Sequence, residues 1–127
     1  MTRTEIIPYI FYRDVPGALE WLARAFGFKE DMRIGTPSGS MHGEMSLDGQ
    51  RIMMSQGATQ WGMISPREAT MATMGVFIYL DDVDAHHARA QSAGAEIVHP
   101  PHDEPYGRTY TARDLDGNPW FFTTPPR

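Results

Sequence analysis

Part of this chain returns at a fixed distance. Leu47-Asp48-Gly49-Gln50 recurs as Leu115-Asp116-Gly117-Asn118, and Asp14-Val15 recurs as Asp82-Val83, both with an offset of 68 residues (115 − 47 and 82 − 14). The same shift lays the apolar run Tyr9 to Tyr12 over Phe77 to Leu80, and Arg51 to Ser55 over Pro119 to Thr123. Asp-Gly alone is ordinary turn chemistry between strands, so one match would decide little. Separate matches in a single register point to a duplicated module rather than to two unrelated hairpins.

Each half then reads in order. Residues 5 to 12 are rich in aromatic and β-branched types and suit a strand, with Pro8 marking an edge or a bulge. Asp14 is a plausible N-cap and Pro16 fits the first helical turn, where its missing N–H does little harm. Val15, Ala18, Leu19, Leu22, Ala25 and Phe26 follow at three- and four-residue steps, which predicts a helix with one buried stripe, and Gly27 suits its left-handed end. Strands are expected near 29–35, 41–47 and 50–56. In the second half a strand at 73–80, a helix from Asp82 to about Ala93 ended by Gly94, and strands near 95–98, 107–113 and 118–124 repeat the pattern. The helix has little beyond alanine and Val83 to bury. The expected organisation is therefore module 1 at about 5–56, a linker at 57–72 without a clear period, and module 2 at about 73–124, within one domain of 127 residues.

Several function classes recede on composition. There is no cysteine, which removes disulfides, thiolate metal sites and cysteine nucleophiles, and is compatible with a cytoplasmic location. The N-terminal stretch lacks a leader-like cleavage pattern, and nothing approaches the roughly eighteen apolar residues of a membrane span. Neither a membrane nor a nucleic acid is expected as partner, because the net charge is -5 and the arginines are scattered singly instead of forming a basic stripe.

Two β-α-β-β-β modules with strand-Asp-Val-helix openings and the closing run Asp114-Leu-Asp-Gly-Asn-Pro-Trp-Phe-Phe122 resemble the vicinal oxygen chelate superfamily of glyoxalases, bleomycin resistance proteins and extradiol dioxygenases. Phe77 to Asp84, Ala93-Gly94-Ala95 and Tyr106 to Asp114 resemble its C-terminal module in order and spacing, and Met41 to Gly49 resembles a subgroup of small glyoxalase-like members. The resemblance implies an α+β fold, in which two tandem βαβββ modules form a curved, half-open mixed sheet around a cleft. It also implies a homodimer, since members often pair modules across subunits. Fold does not fix function within such a superfamily.

Metal-dependent members draw ligands from the first and last strands of each module, a donor set suited to a divalent ion with open positions for substrate oxygens. Carried over residue by residue, those positions are Ile7, Met53, Gly75 and Phe121, none of which offers a good donor. No metal and no other cofactor is expected. His42 and Glu44, two apart on a strand, point to one face and are the remaining candidates for metal binding or acid–base work. With no third ligand visible, a hydrogen-bonded rim pair is the simpler reading. His86 and His87 diverge on a helix and read as solvent-facing or interfacial, and His99 and His102 read as part of a Pro-rich loop.

An apolar cleft favours binding over catalysis. Phe11, Trp61, Phe77, Tyr106, Tyr110 and Trp120 are the candidate ligand-binding residues, offering flat surfaces for planar groups. The reading is a metal-free binder of a small, partly aromatic molecule, with sequestration of a drug or toxin, and so antibiotic resistance, as the role the resemblance implies. A metal-dependent lyase, isomerase or dioxygenase with an atypical site near His42 and Glu44 is the alternative, and a partner-binding module the third.

Overall fold

The computed structural model describes residues 5–37 and 39–126; the first four residues, which open the stretch examined above for a leader, lie outside them. The chain runs β1 (Tyr9–Phe11), α1 (Val15–Phe26), β2 (Lys29–Gly35), β3 (Met41–Leu47) and β4 (Gln50–Ser55). A 3-10 turn (Thr59–Trp61) and the one-turn helix α2 (Pro66–Ala69) occupy the linker. Then come β5 (Val76–Tyr79), α3 (Val83–Ser92), β6 (Glu96–Glu104), β7 (Gly107–Arg113) and β8 (Pro119–Thr124). These form two four-stranded mixed sheets, ordered β1-β4-β3-β2 and β5-β8-β7-β6, the expected α+β architecture of tandem βαβββ modules.

The duplication is exact in the register of the opening strands. Tyr9 stands opposite Met53 in the parallel pair β1–β4, and Phe77 opposite Phe121 in β5–β8, so each member is displaced by the same 68 residues (77 − 9 and 121 − 53). Both opening strands are shorter than the sequence suggested. Pro8 lies just outside β1, an edge strand, where a missing N–H is tolerated.

Local chemistry accounts for the helices. The Asp14 side chain accepts from the backbone N–H of Gly17 to cap α1, and Gly27 closes it at φ 83°. The six apolar positions of α1 are all buried. Gly43 lets β3 come close beneath this helix: a Cβ there would sit 3.2 Å from Leu19 Cδ2 and 3.0 Å from Met54 Cγ. Asp82 caps α3 in the same way, but only Val83 and Ala90 of that helix are buried.

Module 1 and module 2 share one core. The Phe26 ring, at the end of α1, lies 5.4 Å from that of Trp120 and 4.9 Å from that of Phe122. Both of these belong to the second sheet and are fully buried. Each such side chain contributes roughly 1.5–3 kcal/mol by leaving water. His86 bridges the modules: Nε2–H donates to the Phe26 carbonyl at 3.0 Å, and Nδ1 accepts from the Tyr110 hydroxyl at 2.6 Å. Arg89 adds a cation where it is best placed, donating to the carbonyls of Arg24 and Ala23 at the C-terminal end of α1.

A buried polar joint completes the union. Asp114 accepts from the Tyr12 hydroxyl (2.6 Å), the Trp120 indole N–H (3.0 Å) and the Asn118 backbone (3.0 Å). Asp116 accepts from the Arg13 backbone N–H and the Ser65 hydroxyl, both at 2.7 Å. Burial pushes the Asp114 carboxyl up, while these donors pull it back. Burial and the adjacent Asp114 hold the Tyr12 phenol well above its ordinary value, so its proton stays in the bond.

Candidate ligand cleft

Strand alternation sends successive side chains to opposite faces. In β4, Ile52 and Met54 are buried under α1, which turns Met53 to the outer face. Glu44 of β3 stands directly opposite Met53, so Tyr9, Met53 and Glu44 stand abreast on that face across three neighbouring strands. The corresponding row in module 2 is Phe77, Phe121 and Thr111.

Two cavities flank β1. The larger, about 990 Å³, lies between the outer face of module 1 and the linker, and its walls include Tyr9, Phe11, Met41, His42, Trp61 and Met63. The smaller, about 430 Å³, lies between β1 and β5 and is walled mainly by apolar groups, among them Phe11, Met74, Phe77 and Pro119. Volumes of a few hundred to about a thousand Å³ suit small organic ligands.

The linker wall is shaped, not slack. Ala58 and Met63 exchange backbone hydrogen bonds of 2.8 and 3.1 Å, closing a tight loop that presents Trp61. Gly57, at φ 80°, backs onto the Met63 carbonyl and the Phe11 ring, so closely that any side chain there would collide with that carbonyl. Trp61 itself is 74% exposed, a large aromatic surface held over the cavity with little to pack against.

The polar part of this wall is continuous. The Tyr9 hydroxyl lies 3.1 Å from His42 Nδ1, His42 Nε2 lies 2.9 Å from Glu44 Oε2, and Arg51 donates to Glu44 Oε1 at 3.4 Å while also holding Glu5. The sequence reading named His42 and Glu44 but missed Tyr9. Its ring reaches His42 over an intervening strand, a relation no spacing in the chain encodes.

The other sequence candidates divide. Phe11 lines both cavities, Trp61 the larger and Phe77 the smaller. Phe77 and Tyr106 stand 6.3 Å apart, centroid to centroid, beside Tyr79 and Phe121, forming an exposed aromatic patch on module 2. Tyr110 and Trp120 were expected in the cleft, and the structure puts them elsewhere: both are fully buried in the core, Tyr110 bonded to His86 and Trp120 to Asp114. Trp120 adjoins Phe121 in the strand and so takes the opposite face. His99 and His102 lie in β6, not in a loop, because this edge strand absorbs its prolines through register shifts.

The four family ligand positions do not fit a metal. Met53 and Phe121 stand on the outer faces without a hard donor, Ile7 is aliphatic, and Gly75 has no side chain. A Cβ at Gly75 would meet Phe121 Cε2 at 2.8 Å and the Pro119 carbonyl at 3.0 Å, so the ring of one position occupies the space of the other. Among the described residues no group of three or more His, Cys, Asp or Glu is placed to hold an ion.

The family model of the glyoxalase/bleomycin resistance protein/dioxygenase superfamily matches residues 4–122. The chain belongs to that superfamily. Among similar solved structures, TioX from Micromonospora sp. ML1 is 30% identical, with 98% of each chain covered and a TM-score of 0.74. TnmS3, an antibiotic binding protein from Streptomyces sp. CB03234, is 20% identical over 99% of each chain, with a TM-score of 0.76. The bleomycin-binding protein of Streptomyces verticillus, solved with copper(II)-bleomycin, is 20% identical over 99% of each chain, with a TM-score of 0.69. Antibiotic-binding proteins thus stand among the solved structures that share this fold.

Proposed function

We propose that this protein binds a small, planar, partly aromatic molecule in the larger cavity without the aid of a metal, and sequesters a drug or toxin by doing so. The observation that carries the reading is the cavity of about 990 Å³ with Phe11 in its wall and Trp61 poised at its mouth. Superfamily membership and the antibiotic-binding neighbours support it. Flat aromatic rings supply dispersion and stacking at small entropic cost, and methionines adapt to ligand shape. A chain without cysteine suits a reducing compartment, and we place the protein in the cytoplasm.

We further propose a homodimer in which the outer sheet faces are covered. Met32 and Ile34 of β2 and Tyr79 and Phe121 of module 2 are exposed apolar groups on strands, the kind of surface that a second copy would bury.

The test is a thermal-shift screen of aromatic natural products with and without divalent cations, since a ligand of the native state raises its melting temperature. Stabilisation that persists in chelator is the expected result. Stoichiometric metal on the purified protein, lost in His42→Ala, would overturn the metal-free reading in favour of an enzyme centred on His42 and Glu44.

A further inference from the structure

If the larger cavity takes a planar ligand, its one continuous polar chain decides what that ligand must carry. Ionised Glu44 can only accept, so His42 Nε2, 2.9 Å away, bears the proton. A neutral imidazole protonated there has its lone pair on Nδ1, and the Tyr9 hydroxyl, 3.1 Å away, donates to it. The only proton of the phenol is then committed, and its oxygen is left as an acceptor in the cavity wall. Of the neighbouring polar groups, Gln56 Oε1 accepts from the Met41 backbone, Ser55 Oγ accepts from the Gly57 backbone, and the Thr36 and Ser40 hydroxyls pair at 2.6 Å, while Thr59, Gln60 and Glu68 stand on the linker side of the cavity.

We propose that Tyr9, His42 and Glu44 form a donor-selecting chain, and that the cavity prefers hydroxyaromatic ligands, whose O–H donates to Tyr9, over the corresponding ethers. Tyr9 touches the ligand. His42 and Glu44 act as positioning residues that fix the direction of the Tyr9 proton, with Arg51 steadying Glu44. Module 2 has no counterpart, because Phe77 stands where Tyr9 does in module 1.

The probes are 7-hydroxycoumarin and 7-methoxycoumarin, which carry an O–H and an O–CH3 at the same position, titrated by fluorescence against the full chain at a pH that keeps the hydroxyl compound neutral. The wild type is expected to bind the hydroxyl compound about tenfold more tightly, the scale of one buried hydrogen bond. In Tyr9→Phe the ratio is expected to fall to about one with the affinity for the methoxy compound unchanged, and in Glu44→Gln it is expected to fall to about one because the methoxy compound gains affinity. Glutamine keeps the shape of Glu44 but can donate to Nε2, freeing the other tautomer and turning the phenol proton toward the ligand. A purely packing role would leave the ratio intact in Glu44→Gln, and that result overturns the proposal. Should Tyr9→Phe fail to fold, Glu44→Gln decides alone. Equal binding of both probes by the wild type sinks the hydroxyl preference and leaves the cavity reading standing; binding of neither sinks both.

Discussion

The Tyr12 hydroxyl donates to Asp114 across 2.6 Å, joining residues 102 positions apart and tying the opening of module 1 to the closing turn of module 2. The bond lies wholly inside the protein, and the second oxygen of the carboxylate is engaged by the turn itself. Tyr12→Phe removes one donor and is expected to lower stability by about 1–3 kcal/mol. Asp114→Ala is the harsher change, because it strands both the Tyr12 hydroxyl and the Trp120 indole N–H, at roughly 1–3 kcal/mol each. Urea unfolding of the two variants measures the difference; equal losses would show that the Tyr12 bond alone accounts for the role of Asp114 and that its bonds to the turn and to Trp120 add nothing.

His86 gives the joint between modules a pH dependence. Burial lowers the basicity of His86 and nearby Arg89 adds to this, while the Phe26 carbonyl opposes it. With the folded value below the unfolded one, the unfolded chain binds the extra proton first. The contribution is therefore complete above the unfolded value of about 6.5 and is lost as pH falls below it, levelling off beneath the folded value. Melting temperatures from about pH 7.5 to 5 are expected to fall less steeply in His86→Gln than in the wild type. Parallel slopes would remove His86 as the cause.

Trp61 separates binding from folding. Because the side chain is 74% exposed, Trp61→Ala is expected to leave the melting temperature within a degree or so of the wild type. Its loss as a stacking surface is expected to weaken 7-methoxycoumarin about two- to tenfold. A large fall in melting temperature with unchanged affinity would make it a structural residue.

Tyr79 tests the dimer. It is 58% exposed on the aromatic face of module 2 and lines neither cavity described above. A Tyr79→Glu substitution would place a charge in the covered face and is expected to shift the protein toward monomer in analytical ultracentrifugation, with its helix and strand content intact. A wild type that sediments as a monomer would end the dimer proposal directly.

Much of this architecture was legible before folding was considered. The offset between Asp14-Val15 and Asp82-Val83 located both helix starts, because a capping aspartate and the strand before it are local features. What local chemistry does not encode was read less well. Trp120 and Tyr110 look like ligand-binding aromatics until the face of each strand is known, although adjacency to Phe121 already places Trp120 on the opposite face. Tyr110 stands opposite Phe122 in the antiparallel register, a pairing visible only in the folded sheet. The prolines between His99 and His102 suggested a loop, and only the edge position of β6 explains why a strand tolerates them. The meeting of Tyr9 with His42 depends on the order of three strands, which the chain does not spell out.

The fit of the Phe121 ring against Gly75 imposes an order on any rebuilding of this site. A histidine introduced at 75 would have to displace the ring first, whereas shortening 121 removes that contact and leaves the Pro119 carbonyl, 3.0 Å from a Cβ at 75, as the tightest remaining limit. The two positions are thus locked in sequence, 121 before 75, and a designer or a lineage seeking to seat an ion here has one passable route where independent positions would have offered two.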